Sequence, residues 1–572
     1  MGYREEYDRW LLHADAETIK ELQTIADEDE IKDRFYRSLE FGTAGLRGVL
    51  GAGTNRMNTY VVGQATQGLA NQLRKTNADG AECSVVIAYD SRHQSDVFAK
   101  EAACVLAANG IKAYLFEELK PVPELSFSVR YLKATAGIAV TASHNPAKYN
   151  GYKVYGEDGA QLNPSLAAIV LEEMEKTDPF SGVKHCDFEE AVCDGKIIMI
   201  GDAVEERYLD CVEAQSLRPQ LCQEKGKTLK FVYTPFHGTG NKPVRKILRR
   251  MGFENVTVVK EQELPDGDFP TVASPNPENK EGFHIAIGYA QKCGADLIIG
   301  TDPDADRVGI LVRNAAGEYV SFTGNQVGAL LTEYILSSLK EEGKLPKDGY
   351  VVKTIVTTNL IQAICKAYGV EMKEVLTGFK FIGEKIKASE ETGIGTYLFG
   401  FEESYGYLKG TYARDKDAVV AAMLIAEMAL YYQEQGSSLF RQMEKIYETY
   451  GYFVEYVESI TMEGMEGLQK IQEIMEKLRA QPPQEIAGKE VLAVRDYQTS
   501  VRTDAKGGTE EILLPKSNVI YLELADGNNF IVRPSGTEPK IKIYCLMKGT
   551  TQAETEELVE KVKIDIKKIC RV

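Results

Sequence analysis

The chain reads as an α/β protein: three similar α/β domains with mixed sheets, then a smaller C-terminal α+β domain. Two observations predict this. Three stretches repeat one order of apolar strand, loop, helix, strand, helix, strand and second loop, and each places a loop at the carboxyl end of a strand. After Pro482-Pro483 the pattern changes to strands closed by one charged helix, which marks a different architecture.

In the first repeat, SVVIAY (84–89) is an apolar strand ending at Asp90-Ser-Arg92. A helix over 96–109 stops at Gly110, a strand follows near 111–115, and GIAV (137–140) runs into TASHNP (141–146). In the second, LKFVY (229–233) ends at TPFHGTG and a helix runs to about Met251. Strands over 255–259 and 296–299 follow, and the last enters GTDPDADR (300–307). In the third, YVVKTI (350–355) leads to a helix over 360–368, and TYLF (396–399) enters GFEESYG (400–406). Loops at the carboxyl ends of strands are where α/β sheets bind ligands. An amphipathic helix with Leu468, Ile471, Met475 and Leu478 on one face precedes the proline pair. Strands over 519–524 and 540–544 flank RPSGTEPK (533–540), and a helix over 553–569 closes the chain. The domains expected are 1–200, 201–318, 319–450 and 451–572.

Composition narrows the function. With 572 residues, 44% hydrophobic and 27% charged, the chain is an ordinary globular one. A net charge of −18 argues against a nucleic-acid partner, whose phosphates it would repel. No run approaches the ~18 apolar residues of a membrane span, so no membrane partner is expected. The start, MGYREEYDRW, lacks the apolar core of a signal peptide, and ten scattered cysteines without C-x-x-C read as reduced thiols. A cytoplasmic location follows as an expectation. Nothing in the sequence points to an oligomeric state.

The strongest chemical signal is TDPDADR. Asp302, Asp304 and Asp306 recur every second residue just past an apolar strand, and three such charges repel unless a cation neutralises them. Carboxylates are hard ligands, which suits Mg²⁺. An EF-hand fails, because Arg307 takes the turn glycine's place and Arg313 that of the bidentate Glu. RPSGTEPK reads as a phosphate cradle: Arg533 offers a fork, Ser535 and Thr537 hydroxyls, and Gly536 close backbone approach. FGTAGLRG (41–48), around Arg47, has a similar look. Glu402, Glu403 and Ser404 can bond vicinal sugar hydroxyls or form a solvated turn. TGFK (377–380) and RDK (414–416) each add a cation. His144, beside Ser143, reads as structural, since nucleophile and base usually come from distant segments.

Taken in order, the turn serine, the carboxylate loop, the di-glutamate loop and the terminal phosphate loop resemble the α-D-phosphohexomutase superfamily, most closely its phosphoglucomutases. TASHNP-x-x-x-NGYK and DPDADR carry the resemblance, which spans nearly the whole chain. It implies three α/β domains and a smaller α+β fourth around a central cleft. It implies Ser143 as the phosphoserine and Asp302, Asp304 and Asp306 as Mg²⁺ ligands, with a phosphoserine oxygen from Ser143 completing the set. Arg47 and Arg307 match cations near the moving phosphoryl group. Lys153 and Lys416 match acid/base or phosphate-contacting lysines. Thr377, Glu402 and Ser404 match sugar-recognition residues, and Arg533, Ser535, Gly536 and Thr537 the loop for the non-reacting phosphate. One departure is Ala418, where many relatives have Gly.

The implied reaction interconverts glucose 1-phosphate and glucose 6-phosphate through a phosphoserine and glucose 1,6-bisphosphate. The E-E-S loop resembles that of glucose-preferring members. Phosphopentomutase and phosphomannomutase remain alternatives within the superfamily. Outside it stand a phosphatase of the aspartate-nucleophile kind and a sugar-phosphate sensor without turnover.

Overall fold

The computed structural model describes residues 2–39, 45–77, 82–462, 464–535 and 540–570. The chain forms two compact units. The first takes residues 1–322, 382–393 and 404–436, and the second residues 323–381, 394–403 and 437–572.

The first unit opens with three short helices, Tyr3–His13, Ala16–Gln23 and Glu28–Phe35. Asp15 and Asp27 cap the second and third by accepting backbone N–H groups left open at a helix start. Their apolar faces close around the buried Trp10, with Tyr7, Leu22, Ile31 and Phe35. Beyond them lies a mixed six-stranded sheet. Its order is Leu46–Val49, Tyr149–Gly156, Ala136–Val140, Ser84–Tyr89, Lys112–Phe116 and Ile197–Ile200. The last four run parallel to one another, and the first two pair antiparallel. Strand Ala136–Val140 is buried throughout, as its uninterrupted apolar sequence requires of a strand covered on both faces.

A five-stranded sheet follows in the order Tyr319–Phe322, Val308–Arg313, Leu297–Thr301, Phe231–Thr234 and Val256–Val258. Leu297–Thr301 is buried along its length and turns back antiparallel into Val308–Arg313, so residues 302–307 form the bend between them. The N–H of Val122, which opens the helix Val122–Tyr131, donates to the Asp304 carbonyl at 3.0 Å. That bond joins the two sheets of this unit beside the carboxylate loop.

In the second unit, Gly349–Thr354 lies between Glu371–Val375 and Thr396–Glu402, all parallel. An antiparallel sheet runs Tyr452–Thr461, Lys540–Gly549, Asn529–Pro534, Ile520–Leu524, Lys489–Asp496, Val501–Asp504 and Thr509–Glu511. Strand alternation gives it two apolar faces. Ile520, Leu522, Phe530 and Ile543 pack with Ile471 and Met475 of helix Gly464–Ala480 and Val562 of helix Gln552–Cys570. Tyr521, Ile531, Tyr544 and Leu546 face the other way and pack with Ile355, Val356 and Leu376. Among the described residues, no helix is long and apolar enough to cross a membrane.

Candidate active site

Strand Ala136–Val140 delivers Thr141–Pro146 to the carboxyl end of its sheet. Ser143 is buried and has a φ of 52°, a left-handed backbone rare outside glycine. Its N–H donates to Thr141 Oγ1 at 2.8 Å, and its Oγ donates to Asp302 Oδ2 at 3.0 Å. Thr141 Oγ1 in turn donates to Asp304 Oδ2 at 3.2 Å. The serine therefore faces the carboxylate loop from a backbone set by its own neighbours. His144 Nδ1 lies 3.1 Å from Ser143 Oγ, although the sequence reading treats the histidine as structural. Extended chain would send adjacent side chains to opposite faces; the left-handed turn brings them together. Burial, then the charges of Arg307 and Arg47, push the imidazole pKa well below its ordinary value, so the ring is neutral.

Asp302, Asp304 and Asp306 are 0%, 1% and 2% exposed, and each places an oxygen within 4.8 Å of the others'. The bend itself satisfies Asp302: the N–H groups of Asp306 and Arg307 both donate to its Oδ1, at 3.1 and 3.0 Å. Lys153, from strand Tyr149–Gly156, donates to Asp304 Oδ2 at 2.9 Å and lies 3.9 Å from Asp306 Oδ2. Lys416 Nζ is 3.0 Å from Asp306 Oδ2. Burial and then the neighbouring carboxylates push the Asp302 pKa well up. Burial opposes ionisation of Asp304 too, but the Lys153 ammonium and a hydrogen bond from Asp302 outweigh it and hold that group low. Two buried oxygens, Asp304 Oδ1 and Asp306 Oδ1, have no hydrogen-bond partner among the described residues. An unpartnered buried oxygen is costly. Two of them in a three-carboxylate cluster fit a hard divalent cation.

Lys416 belongs to a segment held by its neighbours. Asp415 accepts from Lys416 Nζ at 2.9 Å and from the buried Tyr155 hydroxyl at 2.8 Å. Asp417 caps the helix Ala418–Glu434 through the N–H groups of Val419 and Val420. Ala418 opens that helix and is not among the positive-φ residues, so glycine's backbone freedom is not needed there. Arg307 Nη1 pairs with Glu278 at 2.9 Å, and Arg47 Nη1 donates to Asn145 Oδ1 at 3.1 Å. Arg47 and Asn145 thereby join the edge strand Leu46–Val49 to the serine loop. Ser404 also belongs to this unit and is half-buried.

In the second unit, Glu402 Oε1 accepts the Gly378 N–H at 2.8 Å, which ties the end of strand Thr396–Glu402 to the TGFK turn beside the half-buried Thr377. Glu403 Oε2 accepts from the hydroxyls of Thr354 and Thr357, at 3.3 and 3.4 Å. Arg533 is half-buried on the strand Asn529–Pro534. The Ser535 N–H donates to the Lys540 carbonyl at 2.7 Å. Gly536 and Thr537 lie outside the described residues.

The sequence reading missed Thr141, Tyr155 and Asp415 as parts of the site. Asp415 had a signal, its place inside R-D-K-D. Thr141 had one too, its place inside TASHNP two residues before Ser143. Tyr155 had none, because its partner Asp415 comes from another segment.

Comparison with known proteins bears on the family and the fold. Residues 38–180 match the family described as phosphoglucomutase/phosphomannomutase, alpha/beta/alpha domain I. Residues 206–317 match its domain II, 323–450 its domain III, and 465–564 its C-terminal domain. The chain belongs to the phosphoglucomutase/phosphomannomutase family. The family's fold is the one expected, with three α/β domains and a C-terminal fourth. A phosphoglucomutase of Staphylococcus saprophyticus is 39% identical over 537 residues, covering 94% of this chain and 95% of its own. One from Staphylococcus aureus is 40% identical over 542 residues, with 94% and 95% covered. Two crystal structures share the fold. Parafusin, a phosphoglucomutase from Paramecium, has a TM-score of 0.67 at 16% identity, covering 94% of this chain and 96% of its own. A phosphoglucomutase/phosphomannomutase family protein of Burkholderia thailandensis has a TM-score of 0.65 at 17% identity, covering 92% and 97%.

Proposed function

We propose that this chain is a phosphoglucomutase, interconverting glucose 1-phosphate and glucose 6-phosphate through a phosphoserine at Ser143. The observation that supports this most is the Ser143 hydroxyl on Asp302 Oδ2, in a buried carboxylate cluster whose other members each hold a lysine. Phosphoglucomutases at about 40% identity over nearly the whole chain support the same reading.

Phosphoserine 143 gives its phosphoryl group to the free 6-hydroxyl of glucose 1-phosphate. The P–Oγ bond breaks, a P–O6 bond forms, and the products are free serine and glucose 1,6-bisphosphate. The 6-hydroxyl proton leaves through Lys153 or Lys416, whichever is in its neutral amine form at that step, and Ser143 Oγ takes up a proton as the P–Oγ bond breaks. After the bisphosphate reorients, its 1-phosphate returns to Ser143, O1 regains a proton and glucose 6-phosphate leaves. Mg²⁺ held by Asp302, Asp304, Asp306 and a phosphoserine oxygen would neutralise charge on the transferring group. In free serine, Asp302 and the Thr141 hydroxyl keep Oγ and the loop backbone in place for the return step. Arg47, on Asn145, and Arg307, on Glu278, are cations for the phosphoryl oxygens. Thr377, Glu402 and Ser404 are assigned to the sugar, and Arg533, Ser535, Gly536 and Thr537 to the phosphate that is not reacting. The aspartate-nucleophile alternative has less support, because both Asp302 oxygens already accept hydrogen bonds.

The deciding experiment compares mutase rates on the 1-phosphates of glucose, mannose, glucosamine and ribose, each with its bisphosphate primer. The expected result is the highest kcat/KM on glucose 1-phosphate. A higher value on mannose or ribose phosphate would move the assignment to that sugar, and phosphate release in place of isomerisation would make the chain a phosphatase.

A further inference from the structure

The serine loop bends sharply, buried through Ser143 and half-buried or exposed over 144–149, and most of its hydrogen-bonded carbonyls meet donors from outside it. Between residues 143 and 149, the loop's own backbone supplies few. The Asn145 N–H reaches the Ala142 carbonyl at 3.1 Å, and the Tyr149 N–H reaches that of Pro146 at 3.1 Å. The His144 carbonyl accepts from Ser274 Oγ at 2.8 Å. The Lys148 carbonyl accepts from the Leu50 N–H of the edge strand's end at 2.8 Å. Four carbonyls meet one side chain. Arg92 Nη2 donates to the Ser143 carbonyl at 2.6 Å and also to that of Asn145. Arg92 Nη1 donates to the carbonyls of Pro146 and Tyr149, at 2.9 and 3.0 Å.

Arg92 is itself built in. It is 3% exposed, its Nε lies 3.3 Å from Asp90 Oδ2, and its guanidinium stands 5.1 Å from the Phe269 ring centre. Asp90 is held by the Ser95 hydroxyl at 2.7 Å and by the Arg92 N–H at 3.0 Å. The turn Asp90-Ser-Arg92 ends the central strand Ser84–Tyr89, so a rigid sheet sets the guanidinium's place. One planar fork therefore gathers four carbonyls of the segment that carries Ser143, including that of the left-handed residue.

We propose that Arg92 is a positioning residue for phosphoryl transfer: its guanidinium holds the Ser143 loop in the left-handed turn that aims Oγ at the carboxylate site. Arg92 touches neither substrate nor reacting atoms. A left-handed non-glycine residue is strained and persists only where its surroundings over-determine it. Here the surroundings are the Thr141 hydroxyl on the Ser143 N–H and four hydrogen bonds from one cation, one to Ser143 itself and three to the loop that follows it. The proposal rests on Ser143 being the phosphoryl acceptor, as set out above.

The test follows phosphoryl uptake at Ser143 from glucose 1,6-bisphosphate by rapid quench and intact mass, alongside steady-state kinetics. Arg92→Lys keeps the charge opposite Asp90 but cannot reach four carbonyls. It is expected to slow uptake and kcat about 100-fold, the scale of an ångström's misplacement, with KM for glucose 1-phosphate within about threefold. Arg92→Ala, if folded, should recover uptake in millimolar guanidinium, which fills the vacated place. Uptake by folded Arg92→Lys within about threefold of wild type would overturn the proposal, as would an equal fall in kcat and rise in KM. If Arg92→Lys does not fold, rescue of Arg92→Ala by guanidinium decides, and no rescue overturns it. Wild type that takes no phosphoryl group at Ser143 would instead overturn the mutase reading, and with it the premise.

Discussion

Asp302, Asp304 and Asp306 in the first unit are sealed from solvent, and backbone N–H groups, Lys153 and Lys416 are already on them. Thr377, Arg533 and Ser535 in the second unit keep part of their surface in water, and Arg533 stands near the end of the strand Asn529–Pro534. The difference follows from charge. Three carboxylates brought within 4.8 Å must be compensated by the fold itself, since breaking one member of a buried ionic set leaves an uncompensated charge. The groups proposed for recognition, Thr377, Arg533 and Ser535, carry no such demand and can wait, partly solvated, for a ligand. Changes in the first region should strike the chemical step and stability together. Changes in the second should strike binding.

The largest effect should come from Asp304→Asn. It removes the partner of Lys153 and Thr141 and one charge of the cation site. Turnover should fall on the order of 10³-fold or more, with a smaller change in KM. The measurement is the coupled glucose 6-phosphate assay with and without exhaustive chelation. Wild-type activity that survives chelation would break the comparison, because the sealed region would then have no metal-dependent chemistry.

Arg533→Ala probes the open region. Losing a charge-assisted hydrogen bond costs about 1.5–3 kcal/mol, so KM for glucose 1-phosphate should rise about tenfold or more while kcat falls less. Arg533→Lys should recover only part, since an ammonium lacks the planar fork. Phosphorylation of Ser143 by saturating bisphosphate should persist in both. A normal KM in the Ala variant would make RPSGTEPK a structural loop.

The smallest effect sharpens the first region. Ala418→Gly places a glycine at a helix-opening position with ordinary backbone. It should cost at most about 1 kcal/mol, read as a slightly lower denaturant midpoint, and leave kcat unchanged. A rise in kcat would mean that the Lys416 segment needs glycine's freedom after all.

Much of this was legible in the sequence, for a physical reason. The strands Ser84–Tyr89, Ala136–Val140 and Leu297–Thr301 are apolar because both faces are buried, and their loops carry residues that make sense only as a group. The three aspartates are neighbours in the chain, so their mutual repulsion can be read directly. Contacts between distant segments could not be. Lys153 reaches Asp304 only after Tyr149–Gly156 folds antiparallel onto Ala136–Val140. Leu46–Val49 read as part of a loop because its partner, with Leu46 opposite Tyr152, is remote. The three N-terminal helices escaped notice because they are short and strongly charged, held mainly by the packing around Trp10. Arg92 looked like one more turn residue; only the bent loop shows what its fork meets.

The central claim is that Ser143 carries the phosphoryl group through the reaction, and intact-mass analysis after incubation with glucose 1,6-bisphosphate and Mg²⁺ tests it most directly. The account predicts one added phosphoryl group, mapped to Ser143, absent in Ser143→Ala and discharged by glucose 1-phosphate at a rate no slower than kcat. Phosphoryl label on another residue, or full mutase activity in Ser143→Ala, would contradict it.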